Sequence, residues 1–260
     1  MKKISVLLFV ALLLPSLTGT VSAQVNKPDA VDLGLSVKWA DRNVGANKPE
    51  AVGDLLAWGE TAPKEDYSWM SYKWVEVSYD QLDYYYTFTR YWPGGTYWTS
   101  GYCWDYKDNT PGTDLDKLKA ADDVASVKYG VEWHIPTAKE WQELIDNCVF
   151  EFTQQSGKNG FLVTSKKNGN YIFLPVTGLA EGTVSAFGSF AKGYYKTPYY
   201  DDLDVSLVRG YYWSSDLYTK ENDKSRYRSA RYFFFNDVGD SGLWYYQRYY
   251  GLAVRPVCEK

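Results

Sequence analysis

The chain has 260 residues, with 28 Lys and Arg against 32 Asp and Glu, and a formal net charge of −4. This acidic balance excludes a nucleic-acid-binding role, which needs a basic face for phosphates, and gives no electrostatic hold on anionic lipid. With 25 Tyr and 11 Trp the chain is also far too aromatic to stay disordered, and it is long enough for a substantial core.

Residues 1–23 read as a secretory leader. Lys2 and Lys3 form a basic start, 4–14 is an apolar run, and Val21-Ser22-Ala23 supplies a small-residue cleavage site. The run is too short for a comfortable membrane span, and no later stretch is apolar enough for one, so no transmembrane anchor is expected. The exported chain then begins near Gln24, with 24–30 as a short linker and 31–260 as one folded domain. Its destination is the periplasm, the cell surface or the medium.

Val31, Leu33, Leu35, Val37 and Trp39 alternate with other residue types, which predicts a half-buried strand ending at the Asn43-Val44-Gly45-Ala46 turn. Residues 55–60 read as a second short strand. The 62–113 stretch is rich in Tyr, Trp, Gly, Asp and Thr without a sustained period, and reads as a long surface excursion with short strands at most. Two helices follow. In 115–129, Leu118, Ala121, Val124 and Ala125 lie near helical spacing and Gly130 is a fitting stop. Thr137-Ala138-Lys139-Glu140 is a capping box, after which Trp141, Leu144, Ile145 and Cys148 form one apolar stripe.

Beyond Cys148 the chain turns to strands at 150–153, 160–165 and 170–175. The Lys167-Asn168-Gly169-Asn170 segment between the last two is a hairpin signal, because Asn-Gly accepts the positive φ of such turns. Residues 178–209 read as another loop, and 211–215, 230–235 and 252–258 as the last strands. A strand, two helices, loops and then strands predict an α+β fold.

Three cysteines, Cys103, Cys148 and Cys258, leave one over if two pair. His134 is the single histidine and sits in apolar Trp133-His134-Ile135-Pro136, a structural setting. No C-x-x-C or H-x-x-x-H spacing supports zinc, and no metal or cofactor is expected.

The 210–257 stretch carries the functional signal. Tyr227, Tyr232, Phe233, Phe234, Phe235, Trp244, Tyr245 and Tyr246 are interleaved with Arg, Asp, Asn and Ser. Tyr gives large, rigid contact area with a polar tip, which suits recognition; the plainer reading is strands whose aromatic residues pack in a core. Alternation along the strands lets both hold. Tyr232, Trp244, Tyr245 and Tyr249 are expected outside and close together, Phe233 and Phe235 inside.

The landmarks also form a set. The 31–46 stretch, Trp58-Gly59-Glu60, Trp133-His134-Ile135-Pro136-Thr137 with Glu140-Trp141 and Leu144, Gly160, Val163-Thr164-Ser165, Ile172-Phe173-Leu174-Pro175, Tyr212-Trp213-Ser214-Ser215 and Val254-Arg255-Pro256-Val257 together resemble the exported bacterial Fibrobacter succinogenes major paralogous domain family. That family looks related to the formylglycine-generating-enzyme branch of the C-type lectin-like fold. The resemblance covers nearly all of the exported chain. It implies a single C-type lectin-like α+β domain with two helices, short mixed or antiparallel sheets and long loops, whose two chain ends pair as neighbouring strands. It also implies a disulfide from Cys148 to Cys258, leaving Cys103 free.

The C-terminal stretch resembles, in addition, the retroelement-diversified ligand-binding proteins built on that fold. Arg248, Gly251 and 254–257 match their fixed frame. Tyr232, Phe234, Asn236, Asp237, Asp240, Ser241, Trp244, Tyr245, Tyr246, Tyr249 and Tyr250 match the displayed, ligand-binding set. Formylglycine-generating enzymes use a close cysteine pair near the C-terminus, and Cys258 has no such neighbour. Phe235-Asn236-Asp237 is similar to the Trp-Asn-Asp triplet of calcium-binding lectins, but one Asn-Asp pair cannot supply six to eight oxygens and the Glu-Pro-Asn partner triplet is missing. The expected function is therefore an exported, adhesin-like module that binds a protein ligand. A carbohydrate-binding module that stacks sugars on aromatic rings is the alternative, and an enzyme of the formylglycine-generating type the third.

Overall fold

The computed structural model describes residues 26–80, 83–92, 97–99, 102–106, 116–183, 208–220 and 228–260, with the backbone alone at 97–99, 102–106 and 183. The expected leader, the Cys103 thiol, Tyr227 and most of the 178–209 loop lie outside it. In chain order the elements are β1 (Ala30–Val31), β2 (Lys38–Ala40), β3 (Asp66–Tyr67), β4 (Val75–Tyr79), β5 (Tyr84–Phe88), β6 (Tyr97–Thr99), β7 (Tyr102–Tyr106), α1 (Val124–Tyr129), β8 (Trp133–His134), α2 (Ala138–Asn147), β9 (Cys148–Gln155), β10 (Lys158–Ser165), β11 (Tyr171–Pro175), β12 (Gly182–Thr183), β13 (Arg209–Leu217), β14 (Ser229–Asn236), β15 (Ser241–Gln247) and β16 (Val257–Cys258).

The expected α+β, C-type lectin-like class is overturned. Strand makes up 41% and helix 11%, the sheets are small and mainly antiparallel, and no part is helix-rich. Two departures account for it. The first predicted helix shrinks to the six residues of α1, because the Asp123 carboxylate accepts from Ala125 N and Ser126 N and starts the helix there. Leu118 instead donates its N–H to the Ser215 carbonyl. In addition, the 62–113 excursion contains a sheet in the order β4-β5-β7-β6, with β5 and β7 parallel.

The chain ends do meet. Val257 pairs with Trp39 and Cys258 with Lys38, inside a sheet ordered β1-β2-β16-β8. Gly34, at φ 73, bends the chain between β1 and β2, so the 31–39 alternation is real in burial but is not one strand. The predicted 55–60 strand is only a bridge from Leu56 to Leu252. The predicted linker is pinned: Arg42 Nη2 donates to Asn26 Oδ1, Asp41 N donates to the Asp29 carbonyl, and Asp29 N donates to Asp41 Oδ1.

α2 follows the capping box as predicted. Thr137 Oγ1 accepts from Glu140 N, and Glu140 Oε2 accepts from Thr137 N. Its Trp141 is fully buried, stacked on Phe233 at 4.7 Å and set edge-on to Trp39. β9, β10 and β11 form the next sheet, with Gly169 in positive φ at the predicted hairpin.

The β13-β14-β15 sheet divides two apolar cores. Tyr212, Phe233 and Phe235 face the core made by α2 and the β9–β11 sheet. Tyr211, Trp213, Ala230 and Tyr232 face the opposite core, with Leu252, Val254 and Trp58. A third, aromatic cluster of Tyr67, Tyr72, Tyr86, Phe88 and Trp92 lies under the β4–β7 sheet. Because both faces of β14 are covered, alternation along it exposes neither set.

The same parity explains the cysteines. Val257 lies in the core that contains Trp141, Leu144 and Cys148, whereas Cys258, one residue on, faces the other core. Both are buried free thiols, so the disulfide implied by the resemblance is not formed.

Candidate functional site

The expected ligand-binding set separates into buried and displayed members. Tyr232 and Tyr250 are buried, and Phe234, Tyr246 and Tyr249 are half-buried against the cores. Asn236 is also buried, and its side chain builds the β14–β15 turn: Oδ1 accepts from Val238 N and Asp240 N, and Nδ2 donates to Asp240 Oδ2. Asn236 and Asp240 thus build the hairpin turn. Asp237 is half-buried, and Asp240 and Ser241 are exposed at that turn. Phe233 and Phe235 are fully buried, as expected.

The exposed rings of the set are on β15. Trp244 is 60% exposed and Tyr245 39% exposed. They do not share a face: Trp244 lies opposite Tyr232 and Tyr245 opposite Arg231, on the two sides of the sheet. The expected single cluster of Tyr232, Trp244, Tyr245 and Tyr249 is therefore not formed. β15 is an edge strand, and its residues reach solvent because nothing pairs beyond it among the described residues.

One of the two displayed rings stands on a buried one. Tyr245 stacks on buried Tyr218, and the Arg231 guanidinium lies 5.7 Å from the Tyr218 ring. Nearby, Asp216 accepts from Ala138 N at the start of α2, and burial pushes its carboxyl above the usual range against the pull of Lys117 and Arg231. On the other side, Trp244 shares its face with Tyr246, whose ring meets Tyr250 edge-on at 4.2 Å. Tyr250 stacks on Tyr249 and donates its hydroxyl to Glu181 Oε1 at 2.6 Å.

From Tyr249 the ring contacts continue into the 62–113 region, which sequence reasoning treated only as an excursion. Tyr249 meets Trp69 at 4.8 Å, Trp69 meets Tyr86, Tyr86 meets Tyr84, and Tyr84 meets Tyr79 at 4.8 Å. Tyr79 is 61% exposed and Tyr84 39% exposed. A signal was available: Val75-Glu76-Val77-Ser78-Tyr79 alternates apolar and polar residues, the mark of a strand.

The matched frame residues hold this surface from below. Arg248 is fully buried, with its guanidinium 4.3 Å over the Phe88 ring and Nη1 donating to the Tyr91 carbonyl. Burial lowers its pKa to about 10. Tyr91 stands at φ 58, a conformation costly for a bulky residue, and its hydroxyl donates to Asp122 Oδ2. Arg255 spends its donors on Asn43 Oδ1 and on the carbonyls of Ala40, Asp41 and Phe173. At Gly251 a Cβ would sit 2.6 Å from the Tyr67 ring, so no larger residue fits.

No helix among the described residues is long and apolar enough to cross a membrane. Comparison of the chain with known protein families, with curated proteins and with solved structures gave no match.

Proposed function

We propose that this is an exported recognition module, adhesin-like in role, that binds a protein ligand through the aromatic surface around β15. The observation that carries the reading is Trp244, 60% exposed between Tyr245, which stacks on Tyr218, and Tyr246, which meets Tyr250 edge-on. A large apolar ring held in water has no packing purpose in the chain itself, and rigid Trp and Tyr anchors dominate protein interfaces. Arg231 beside the Tyr218–Tyr245 stack adds the third residue type typical of such anchors. The sequence resemblance to the exported major paralogous domain family belongs to this proposal.

A second reading has its own support. Tyr79 and Tyr84 form an exposed pair of rings tilted 40° to each other, a surface on which sugar rings could stack. The test uses two probes on the purified chain, a phage-displayed random-peptide library and a glycan array. Protein recognition predicts peptides that bind the wild type and fail on Trp244→Ala. Glycan hits lost on Tyr84→Ala favour the second reading, and binders from neither probe contradict both.

A further inference from the structure

α2 covers one face of the β13-β14-β15 sheet, but only in part. Phe233 lies against Trp141 and is fully buried. Two residues back on β14 the cover stops: Arg231 is half-buried, and Tyr245, directly across from it on β15, is 39% exposed. Residues directly opposite on paired strands share a face, so Arg231 and Tyr245 stand together there. Both rest on buried Tyr218, Tyr245 by stacking and Arg231 with its guanidinium 5.7 Å from the ring.

Arg231 makes no hydrogen bond and no ion pair among the described residues. A guanidinium stays charged and carries five donors in a rigid fork, so this one has its whole donor set to offer. The nearby carboxylate is already engaged. Asp216 Oδ2 accepts from Ala138 N, at the start of α2, and from Ser214 Oγ. Exposed Lys117 pulls on the same carboxyl as Arg231 does. Glu140, in the first turn of α2, is held by His134 and Thr137. Two cations beside a helix N-terminus therefore share Asp216, and positive charge is left over in a chain whose formal net charge is −4.

We propose that the ligand presents a carboxylate side chain, Asp or Glu, to Arg231, beside an apolar group seated on Tyr245, so that the bound protein is recognised through an acidic segment. This rests on the recognition reading above and adds the charge of the partner to it. The occupant follows from charge complementarity. A planar fork takes a carboxylate through two parallel hydrogen bonds. Tyr218 already orients the fork, which lowers the ordering cost of binding. A neutral or basic segment in the same place would leave the Arg231 donors without acceptors once water is excluded.

The experiment uses peptides selected on the purified chain from a displayed random library, then synthesised with amidated C-termini so that their only carboxylates are side chains. Selected peptides should carry Asp or Glu, and exchange of that residue for Asn or Gln should weaken binding at least about 10-fold. Arg231→Met keeps a long stem beside Tyr218. It should weaken the acidic peptide by the same factor and remove most of its sensitivity to salt. Arg231→Glu should prefer the peptide with Lys in place of its acidic residue, a reversal that also shows the variant to be folded. Peptides that lose binding on Trp244→Ala and yet carry no acidic residue, or that bind wild type and Arg231→Met equally, would overturn this proposal and leave the recognition reading standing. A chain that binds no peptide would overturn both.

Discussion

Tyr218 and Tyr245 stack with ring centroids 3.9 Å apart and planes 12° from parallel, one ring buried and the other at the surface. The buried ring fixes the orientation of the exposed one before any ligand arrives, which reduces the ordering cost of binding. Tyr245→Ala should weaken binding of a library-selected peptide while lowering stability by only about 1 kcal/mol, the worth of an aromatic pair. Tyr245→Phe keeps the stack and should keep most of the affinity. Calorimetric titration beside thermal melting separates the two effects.

Phe233 makes the opposite case. It is fully buried, stacked on Trp141 and close to Phe150 and Phe235. Phe233→Ala should cost roughly 3–5 kcal/mol, because the cavity sits where a helix and two sheets converge. Urea titration would show it as a lowered midpoint with little change in slope; a shift under about 1 kcal/mol would mean that this core is not what holds β14.

The two buried cysteines should remain thiols. Peptide mapping after alkylation under denaturing conditions should recover Cys148 and Cys258 singly modified, and reductant should leave the melting temperature unchanged. A crosslinked pair of the two peptides would contradict the parity that sends Val257 and Cys258 into different cores.

Alkaline pH should expose the same burial. Desolvation raises the Cys148 thiol from 9.0 to about 11. The folded state then keeps a proton that the unfolded state gives up, so stability present below pH 9 is lost as pH rises toward 11. Between pH 9 and 10 the loss should be about 1 kcal/mol, and smaller in Cys148→Ala. Cys258, raised by the same cause, adds to it. Above pH 10 the buried phenols of Tyr72 and Tyr212 extend the decline, while Arg248 and Arg255, lowered to about 10, work against it. Urea midpoints measured between pH 8 and 10 check this; a flat wild-type curve would contradict it.

Local signals in the sequence were faithful where one residue type settles the geometry. The Thr137–Glu140 box, the Gly169 hairpin and the inward Phe233 and Phe235 are as read. Periodicity failed where a single residue interrupts it: Gly34 bends an alternating stretch, and Asp123 restarts a helix that the apolar spacing begins earlier. The site was half legible. Tyr and Trp content marked the C-terminal strands, but exposure depends on whether a second layer covers the other face, which no residue of β14 reveals. Tyr232 is therefore buried, while Trp244 and Tyr245, side by side in sequence, face opposite ways. Tyr79 and Tyr84 join the surface only through contacts far apart in the chain.

The central claim is that Trp244 is displayed for a ligand and is not needed for folding. Calorimetric titration of one library-selected peptide into the wild type and into Trp244→Ala, with melting curves of both, tests it most directly. The account predicts roughly 30-fold weaker binding, about 2 kcal/mol, with a melting temperature that barely moves. Equal affinity for the two proteins, or a loss of binding that tracks an equal loss of stability, would contradict it.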